Sequence, residues 1–370
     1  MRVPFFDLAA AHSELDPEIK SAIADVRRSN RFVLGEQVSA FEVEFARYVG
    51  ARHCVGVGNG LDALTLALRA CELEPGDEVL VPTNTFIATW LAVVHAGGVP
   101  VGVEPDRTTY NMDPVDAERR VSSRTRFILP VHLYGQPADL GPLRALAART
   151  GCAVVEDAAQ AHGAEYRGSR VGSGTAVAWS FYPGKNLGAL GDAGAVTTDV
   201  DDVAERLRLL RNYGSDTKNV HELTGVNSRL DELQAAVLRV KLRHLDEWNE
   251  RRAQVCDWYG AALADSGVVL PSVMASTRPV WHLYVVRTAD RDGLRDHLAA
   301  RRVETQIHYP IAPHRQSAFR QYGASEFPIA DELAASVLSL PMSPHIHADE
   351  VAYVASSIRD HASQAAKPTG

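Results

Sequence analysis

The segment HCVGVGNGLDALTLALRACELEPGDEVLVP, residues 53–82, decides the fold class. It contains a short apolar run at 53–57, a helical pattern at 61–70, a turn at 75–77 and a second apolar run at 78–82. Apolar runs that alternate with amphipathic helices favour a mostly parallel sheet covered by helices. Ligands bind beyond the carboxyl ends of the strands in such sheets, so the polar residues after each strand are the candidates for chemistry.

The same alternation of apolar strands and amphipathic helices continues to about residue 200. It predicts helices over 85–96 and 139–150 and strands over 99–103, 127–131 and 152–155. We therefore predict an α/β fold, with a large domain whose mostly parallel central sheet is flanked by helices.

The pattern changes in the C-terminal third of the chain. A single long helix is predicted over 227–265, followed by strands and a helix that predict a smaller α+β domain. The predicted elements are a strand at 282–287, a helix at 292–302 and a strand at 304–308. We place the boundary inside the long helix, which gives domains of residues 1–240 and 241–370.

Composition excludes several classes of protein. The chain has 370 residues and is 46% hydrophobic, so it buries a core that a disordered chain could not. Acidic residues outnumber basic ones by 46 to 38, and this net charge of -8 gives no electrostatic footprint for nucleic acid. Residues 1–20 lack the apolar core of a signal peptide, and no apolar stretch is long enough for a membrane span.

Cysteine usage predicts the cytoplasm. The cysteines at positions 54, 71, 152 and 256 form no CxxC pair, and a disulfide framework is not expected in a chain of this length. Cys54 and Cys152 lie in apolar runs and are predicted to be buried. No metal site is predicted.

The first candidate motif is the turn Gly58-Asn59-Gly60, where a strand runs directly into a helix. Glycines at such a turn let backbone N–H groups approach an anion, and the helix N-terminus adds the positive end of its dipole. The stretch is neither GxGxxG nor a P-loop, and a plain tight turn would also explain its glycines. The segment alone leaves phosphate cradle and tight turn as alternatives.

The second motif is VVEDAAQAHGA, residues 154–164, in which Asp157 directly follows an apolar strand. A carboxylate buried at a sheet edge needs a cationic or hydrogen-bonding partner, and a protonated ring nitrogen of a cofactor would serve. The alternative is a helix N-cap. His162 in the same stretch is more typical of a hydrogen-bonded structural histidine than of a base or a ligand.

The third motif is SFYPGKNLGALGDAGAV, residues 180–196, which places Lys185 on a glycine-rich turn. Desolvation in such a loop would lower the lysine pKa, and only the neutral amine attacks a carbonyl carbon. The alternative is an ordinary surface lysine. Together, however, an anion cradle, an acid at a strand end and a lysine are the three parts that pyridoxal 5'-phosphate requires.

The ordered motifs resemble those of the pyridoxal-phosphate-dependent nucleotide-sugar aminotransferases of the DegT/StrS type, which have the aspartate aminotransferase fold (fold type I). The resemblance covers nearly the whole chain. It rests on PFFDL (4–8), FVLGEQVSAFEVEFA (32–46), GNGLDALTLAL (58–68), PTNTFIAT (82–89), PVHLYGQ (130–136), EDAAQAHGA (156–164), SFYPGKNLGALGDAGAV (180–196), RNYGS (211–215), GVNSRLDELQAAVL (225–238) and IHYP (307–310).

The resemblance implies roles around the cofactor ring. Lys185 is similar to the lysine that binds the cofactor covalently and moves the proton between substrate Cα and cofactor C4'. Asp157 corresponds to the partner of the pyridine nitrogen, Gln160 to the residue that hydrogen-bonds the phenolic oxygen, and Phe86 to the aromatic side chain that stacks on the ring.

The resemblance also implies how the phosphate is held. Backbone N–H groups of Gly60 and Leu61 and the hydroxyl of Ser180 are expected to bind it. Asn227 resembles a phosphate ligand that the other subunit contributes, which implies a homodimer with shared active sites.

The substrate side is implied by smaller differences among family members. Sugar 4-aminotransferases usually carry SFHP, whereas Tyr182 stands at the histidine position here, as in the 3-aminotransferases. His308 and Tyr309 resemble residues near the sugar and its pyrophosphate. Tyr213 and Lys218, in the RNYGS region, are expected to line the substrate channel. A pyrophosphate in an acidic protein needs local cations, and the candidates are Lys218 and Arg229.

The implied reaction transfers an amino group from L-glutamate, through the pyridoxamine 5'-phosphate form, to a dTDP-3-keto-6-deoxyhexose. The product would be a dTDP-3-amino-3,6-dideoxyhexose for a natural product or a glycan. The alternatives are a 4-aminotransferase, a sugar dehydratase, which the presence of Lys185 disfavours, and a non-catalytic sensor. No nucleic-acid or membrane partner is expected.

Overall fold

The computed structural model describes residues 1–217, 219–322 and 326–365. Its strands are β1 (His53–Val57), β2 (Glu78–Pro82), β3 (Val99–Val103), β4 (Thr125–Ile128), β5 (Ala153–Asp157), β6 (Glu165–Tyr166), β7 (Ser169–Arg170), β8 (Ala176–Ser180), β9 (Gly194–Thr198), β10 (Thr277–Arg278), β11 (Tyr284–Arg287) and β12 (Val337–Leu340).

Its α-helices are α1 (Leu8–Glu14), α2 (Asp16–Ser29), α3 (Glu36–Val49), α4 (Gly60–Ala70), α5 (Ile87–Ala96), α6 (Pro114–Arg120), α7 (Leu140–Thr150), α8 (Asp201–Leu210), α9 (Glu232–Leu242), α10 (Leu245–Leu263), α11 (Arg291–Ala300), α12 (Pro328–Ser336) and α13 (Ala348–Ala365). Short 3-10 helices span Leu133–Gly135, Pro313–Arg315 and Ser317–Tyr322.

The central sheet of the described chain has seven strands in the order β1-β9-β8-β5-β4-β2-β3. β9 is antiparallel to both of its neighbours, and the other adjacent pairs are parallel. The predicted α/β fold with a mostly parallel central sheet is therefore confirmed. Since β1, β5 and β8 run in the same direction, the residues that follow them meet at one edge of the sheet.

Helices cover both faces of this sheet. The core with α4, α5 and α8 includes Leu66 and Val79, and the core with α3 and α9 includes Phe45, Trp179 and Leu238. Apolar side chains thus shield the strands from water on both sides and leave the strand ends as the polar part of the sheet.

The C-terminal elements have a core of their own. β11 and β12 pair antiparallel, and α10, α11 and α13 pack together with them. Val3 belongs to this core, and its N–H donates to the carbonyl of Arg302 at 3.0 Å. The division at residue 240 stays a prediction.

The single helix predicted over 227–265 is wrong. Two helices, α9 and α10, occupy this stretch, and residues before Glu232 are not helical. The break is a tightened turn, in which the N–H of His244 bonds the carbonyl of Lys241 at 3.0 Å. The Lys241 ammonium is itself buried and donates to the carbonyl of Gly188 at 2.7 Å. The helix therefore breaks at a buried tertiary contact, and the sequence 241–244 contains no glycine or proline that would have predicted the break.

Three smaller predictions are also corrected. The stretch 304–308 is not a strand; one isolated bridge joins Gln306 to Ser339. α5 begins at Ile87 because Phe86 keeps an extended backbone. All four cysteines are free, but only Cys54 is buried, whereas Cys152 is partly exposed. Among the described residues, the helices are all too short or too polar to span a bilayer.

Candidate active site

An anion cradle forms where β1 ends. Asn59 caps α4, since its Oδ1 accepts the N–H of Asp62 at 2.8 Å. Gly60 and Leu61 are the first two residues of this capped turn, and their backbone N–H groups point out of the helix N-terminus. A Cβ on Gly60 would lie 2.6 Å from the Ser180 Cβ, so only glycine brings the helix this close to the end of β8. The structure thus brings together three predicted phosphate ligands.

Asp157 is the last residue of β5 and is 5% exposed. Ala159 N donates to Oδ1 at 3.1 Å, and Thr89 Oγ1 donates to Oδ2 at 2.9 Å. Burial raises the pKa of this carboxyl group, which the two hydrogen bonds and the charge of Lys185 oppose. Among the described residues, no cationic side chain forms an ion pair with it. The site therefore holds a buried acid that needs a cationic partner.

Lys185 lies on the glycine-rich loop and is half-buried. Its backbone N–H donates to the carbonyl of Tyr182 at 2.8 Å. A Cβ on Gly188 would stand 2.3 Å from the Pro183 carbonyl oxygen, so glycine is needed for the loop to fold back. Burial lowers the pKa of Lys185 to about 8, against the opposing charge of Asp157. This amine is neutral far more readily than an exposed lysine.

Tyr309 contacts both Gln160 and Phe86. Gln160 Nε2 donates to the Tyr309 hydroxyl at 3.1 Å, and Gln160 Oε1 accepts the N–H of Tyr134 at 2.6 Å. The rings of Phe86 and Tyr309 lie 5.5 Å apart. Phe86 is nevertheless 52% exposed, which is unusual for phenylalanine and leaves a ring face free for a ligand.

His308 also belongs to this group. Its Nδ1 lies 2.8 Å from Ser339 Oγ, and the Tyr134 hydroxyl donates to its carbonyl oxygen. Burial, reinforced by the charge of Lys185, lowers the pKa of His308 to about 4. His308 is therefore a neutral hydrogen-bonding group near neutral pH.

Tyr182 and the loop before α9 make no side-chain contact with Asp157 or Lys185 among the contacts of the described residues. Tyr182 is 58% exposed beside Ser180, whose Oγ accepts its N–H at 3.3 Å. Arg229 donates to Asn212 Oδ1 at 3.1 Å and lies 5.6 Å from the centre of the Tyr213 ring.

The same loop carries Asn227, which is exposed. Ser228 ties the loop to the cradle, because its hydroxyl accepts the N–H of Gly58 at 3.0 Å. None of the contacts described for Tyr213, Asn227 or Arg229 reaches Lys185, so their roles stay predictions. Lys218 lies outside the described residues.

The motifs did not single out the side chains that hold the predicted site residues. Thr89 bonds Asp157, and Thr85 lies 2.9 Å from Thr89. The sequence offered one sign of this pair, their spacing of four residues in PTNTFIAT. Residues four apart at the start of a helix lie on the same face. His162 is fully buried, and burial lowers its pKa to about 3, which the Ser180 backbone opposes. This agrees with a neutral structural histidine.

A helix-terminus cradle, a buried acid and a lysine of lowered pKa meet at one sheet edge, as a carbonyl-binding amine centre requires. A model of the DegT/DnrJ/EryC1/StrS aminotransferase family matches residues 13–359. The chain is 52% identical over 365 residues to the dTDP-3-amino-3,4,6-trideoxy-alpha-D-glucose transaminase of Streptomyces venezuelae, covering 98% of this chain and 96% of that relative.

Two further likenesses agree with this. The chain is 48% identical to the dTDP-3-amino-3,6-dideoxy-alpha-D-galactopyranose transaminase of Aneurinibacillus thermoaerophilus, over 96% of this chain and 98% of that relative. The crystal structure of S. venezuelae DesV in complex with a ketimine intermediate matches with a TM-score of 0.96 and 52% identity, covering 97% of this chain and 98% of that chain.

The fold and the site thus define an aminotransferase. The chain belongs to the DegT/DnrJ/EryC1/StrS aminotransferase family. The family predicted from the ordered motifs is confirmed, and so is the enzyme class.

Proposed function

We propose that this aminotransferase uses pyridoxal 5'-phosphate to move an amino group from L-glutamate to C3 of a dTDP-3-keto-6-deoxyhexose. The observation that carries the proposal is the buried Asp157 carboxylate, which has no ion-pair partner among the described residues and lies within the electrostatic reach of Lys185. The regiochemistry is supported by the likeness to two sugar 3-transaminases and by Tyr182.

The donor set of the site fits this cofactor. The absence of a side chain at Gly60 lets the N-terminus of α4 pack directly against Ser180. Backbone N–H groups and the Ser180 hydroxyl are thereby placed together, as a phosphate requires. Asp157 offers a buried anion suited to a protonated pyridine nitrogen. When bound, pyridoxal phosphate supplies an electron sink for a carbanion at the carbon that loses or gains the amino group.

The chain's own residues supply the rest of the chemistry. The buried Asp157 carboxylate would hold the proton on the pyridine nitrogen. Lys185 Nζ, whose pKa is about 8, would supply the neutral amine that holds the cofactor through its aldehyde carbon, with loss of water, and would afterwards carry a proton to or from the reacting carbon. The exposed ring of Phe86, which contacts Tyr309, would stack on the cofactor ring, and neutral His308 would offer a hydrogen bond to the sugar.

The proposal includes a homodimer in which Asn227 reaches the phosphate of the partner subunit's site. Exposed apolar side chains in the stretches 32–43 and 213–233 support the homodimer. A β-bridge between Val33 and Asp231 brings these two stretches together. An apolar surface of this extent favours a protein partner, and a second copy would cover it symmetrically. The exposed residues are Phe32, Val33, Val43, Tyr213, Val220, Leu223, Val226 and Leu233. Free cysteines favour the cytoplasm as its compartment.

A panel assay tests the substrate. Purified enzyme with pyridoxal phosphate and L-glutamate is incubated with dTDP-3-keto-6-deoxy, dTDP-3-keto-4,6-dideoxy and dTDP-4-keto-6-deoxy hexoses, and aminated products are scored by mass spectrometry. We expect amination of a 3-keto sugar. Amination of the 4-keto sugar alone would assign a 4-aminotransferase. Glutamate-dependent conversion of the cofactor without amination of any sugar would show that the acceptor is of another class.

A further inference from the structure

Two threonine hydroxyl groups at the N-terminal end of α5 form a hydrogen-bonded chain that ends on the Asp157 carboxylate. Thr89 Oγ1 donates to Asp157 Oδ2 at 2.9 Å, and Thr85 Oγ1 lies 2.9 Å from Thr89 Oγ1. All three residues are nearly inaccessible, with exposures of 5%, 0% and 2% for Asp157, Thr89 and Thr85. Water therefore cannot replace either hydroxyl group easily.

The direction of this chain follows from donor counting. An ionised carboxylate only accepts hydrogen bonds, so Thr89 must give its single hydroxyl proton to Asp157. The Thr89 oxygen then accepts from Thr85. Hydrogen bonds to a charged acceptor are stronger than neutral ones, and successive hydroxyl groups polarise one another. The arrangement stabilises the ionised form of Asp157 over the protonated form.

We propose that Thr89, supported by Thr85, is a positioning residue that orients the Asp157 carboxylate and keeps it ionised for the pyridine nitrogen of the cofactor. The inference rests on the proposed use of pyridoxal phosphate. The backbone also links it to the ring-stacking residue, because the N–H of Thr89 bonds the carbonyl of Phe86 at 3.2 Å. The first turn of α5 thus carries one residue for the ring face and one for the ring nitrogen's partner.

Several groups face Asp157 and bear on its ionisation. Lys185 on the glycine-rich loop and His132 after β4 favour the charged form, and the Tyr309 hydroxyl lies on the C-terminal side. Burial raises the pKa of Asp157, while the hydrogen bonds from Ala159 and Thr89 lower it. Without the Thr89 hydroxyl the pKa rises further, so the ionised carboxylate is lost at a higher pH.

The test measures equilibrium binding of pyridoxamine 5'-phosphate, which has no covalent link to the protein, by quenching of tryptophan fluorescence between pH 5 and pH 9. Thr89→Val keeps the side-chain shape but removes the hydroxyl. We expect it to raise the Kd about tenfold or more, and to move the acidic limb of the binding curve to higher pH. Thr89→Ser should restore most of the affinity, and Thr85→Val should shift the limb less, in the same direction.

Thr197→Val is the matched control. Thr197 is also fully buried and also forms a two-bond chain, accepting from Trp179 Nε1 at 2.9 Å and donating to the Gly172 carbonyl at 2.7 Å. It should lower the unfolding temperature without moving the binding limb. An unchanged Kd and limb in Thr89→Val would overturn the inference. If that variant does not fold, an unshifted limb in Thr85→Val would do so.

Failure of the proposed function gives a different result. In that case the wild-type enzyme itself would not bind pyridoxamine 5'-phosphate at any pH, and the positioning role would fall with it. Binding by the wild type with equal loss in Thr89→Val and Thr89→Ser would leave the cofactor assignment intact but overturn the role of the hydroxyl.

Discussion

Gly60 lies so close to Ser180 that a Cβ on Gly60 would stand 2.6 Å from the Ser180 Cβ, well inside van der Waals contact. The contact joins the N-terminus of α4 to the end of β8. It fixes the width of the cradle that we propose for the cofactor phosphate, and it explains why glycine is required at a position with no positive φ.

Gly60→Ala should therefore weaken cofactor binding. Forcing one methyl group into this contact costs about 1–3 kcal/mol, which corresponds to a Kd for pyridoxamine 5'-phosphate raised roughly fivefold to 150-fold. Gly260→Ala on α10 is the control, because a Cβ there meets nothing within 4 Å. It should leave binding unchanged, and an equal Kd for both variants would contradict the cradle.

Lys185→Ala should abolish turnover and the covalent attachment of pyridoxal phosphate, because the loop 182–191 contains no other amine. Attachment is measured by borohydride trapping followed by peptide mass spectrometry, and turnover by 2-oxoglutarate release. Retained transamination in this variant would show that another group carries the proton.

The pH dependence of cofactor attachment should follow Lys185. Burial lowers its pKa from the ordinary value of 10.5 to about 8. Only the neutral amine attacks the aldehyde, so the attachment rate to the apoenzyme should rise about tenfold per pH unit below pH 8 and level off above it. Stopped-flow absorbance checks this. A rate that still rises steeply beyond pH 10 would indicate an unperturbed lysine.

Asp157→Asn should lower kcat by about a hundredfold or more, since the neutral amide cannot hold the proton on the pyridine nitrogen. Steady-state kinetics with L-glutamate and the preferred ketosugar would show the loss. Near-wild-type kcat would contradict the role. Circular dichroism should show an unchanged fold, because the amide has nearly the shape of the carboxylate and its oxygen can still accept a hydrogen bond at this position.

Mixed dimers test the shared active site. Asn227→Ala and Lys185→Ala should each be inactive alone. After subunit exchange, a mixed dimer carries one intact site if Asn227 serves the partner's lysine, so about a quarter of wild-type activity should return. No recovery in mixtures shown by mass spectrometry to contain mixed dimers would place Asn227 in its own chain's site.

Much of the site was readable from local sequence. The order of Gly60, Asp157 and Lys185 along strand-turn-helix patterns predicted their meeting, because parallel strands present their carboxyl ends at one sheet edge. Structural contacts connect Gly60 to Ser180 and Gln160 to Tyr309. The single helix predicted over 227–265 is wrong. Its break coincides with a buried contact from Lys241 to Gly188, 53 residues earlier, and local periodicity carries no information about such a contact.

The sequence by itself determined the α/β class and the family, since these depend on local periodicity and on ordered motifs. It also predicted which lysine and which acid serve the cofactor. Only the tertiary structure decided how these groups are held. The hydroxyl chain from Thr85 to Asp157 spans 72 residues, and the lowered pKa of Lys185 is a property of its buried surroundings. Hydrogen-bond direction and desolvation depend on which groups are buried next to one another, and only the folded chain brings these distant residues together.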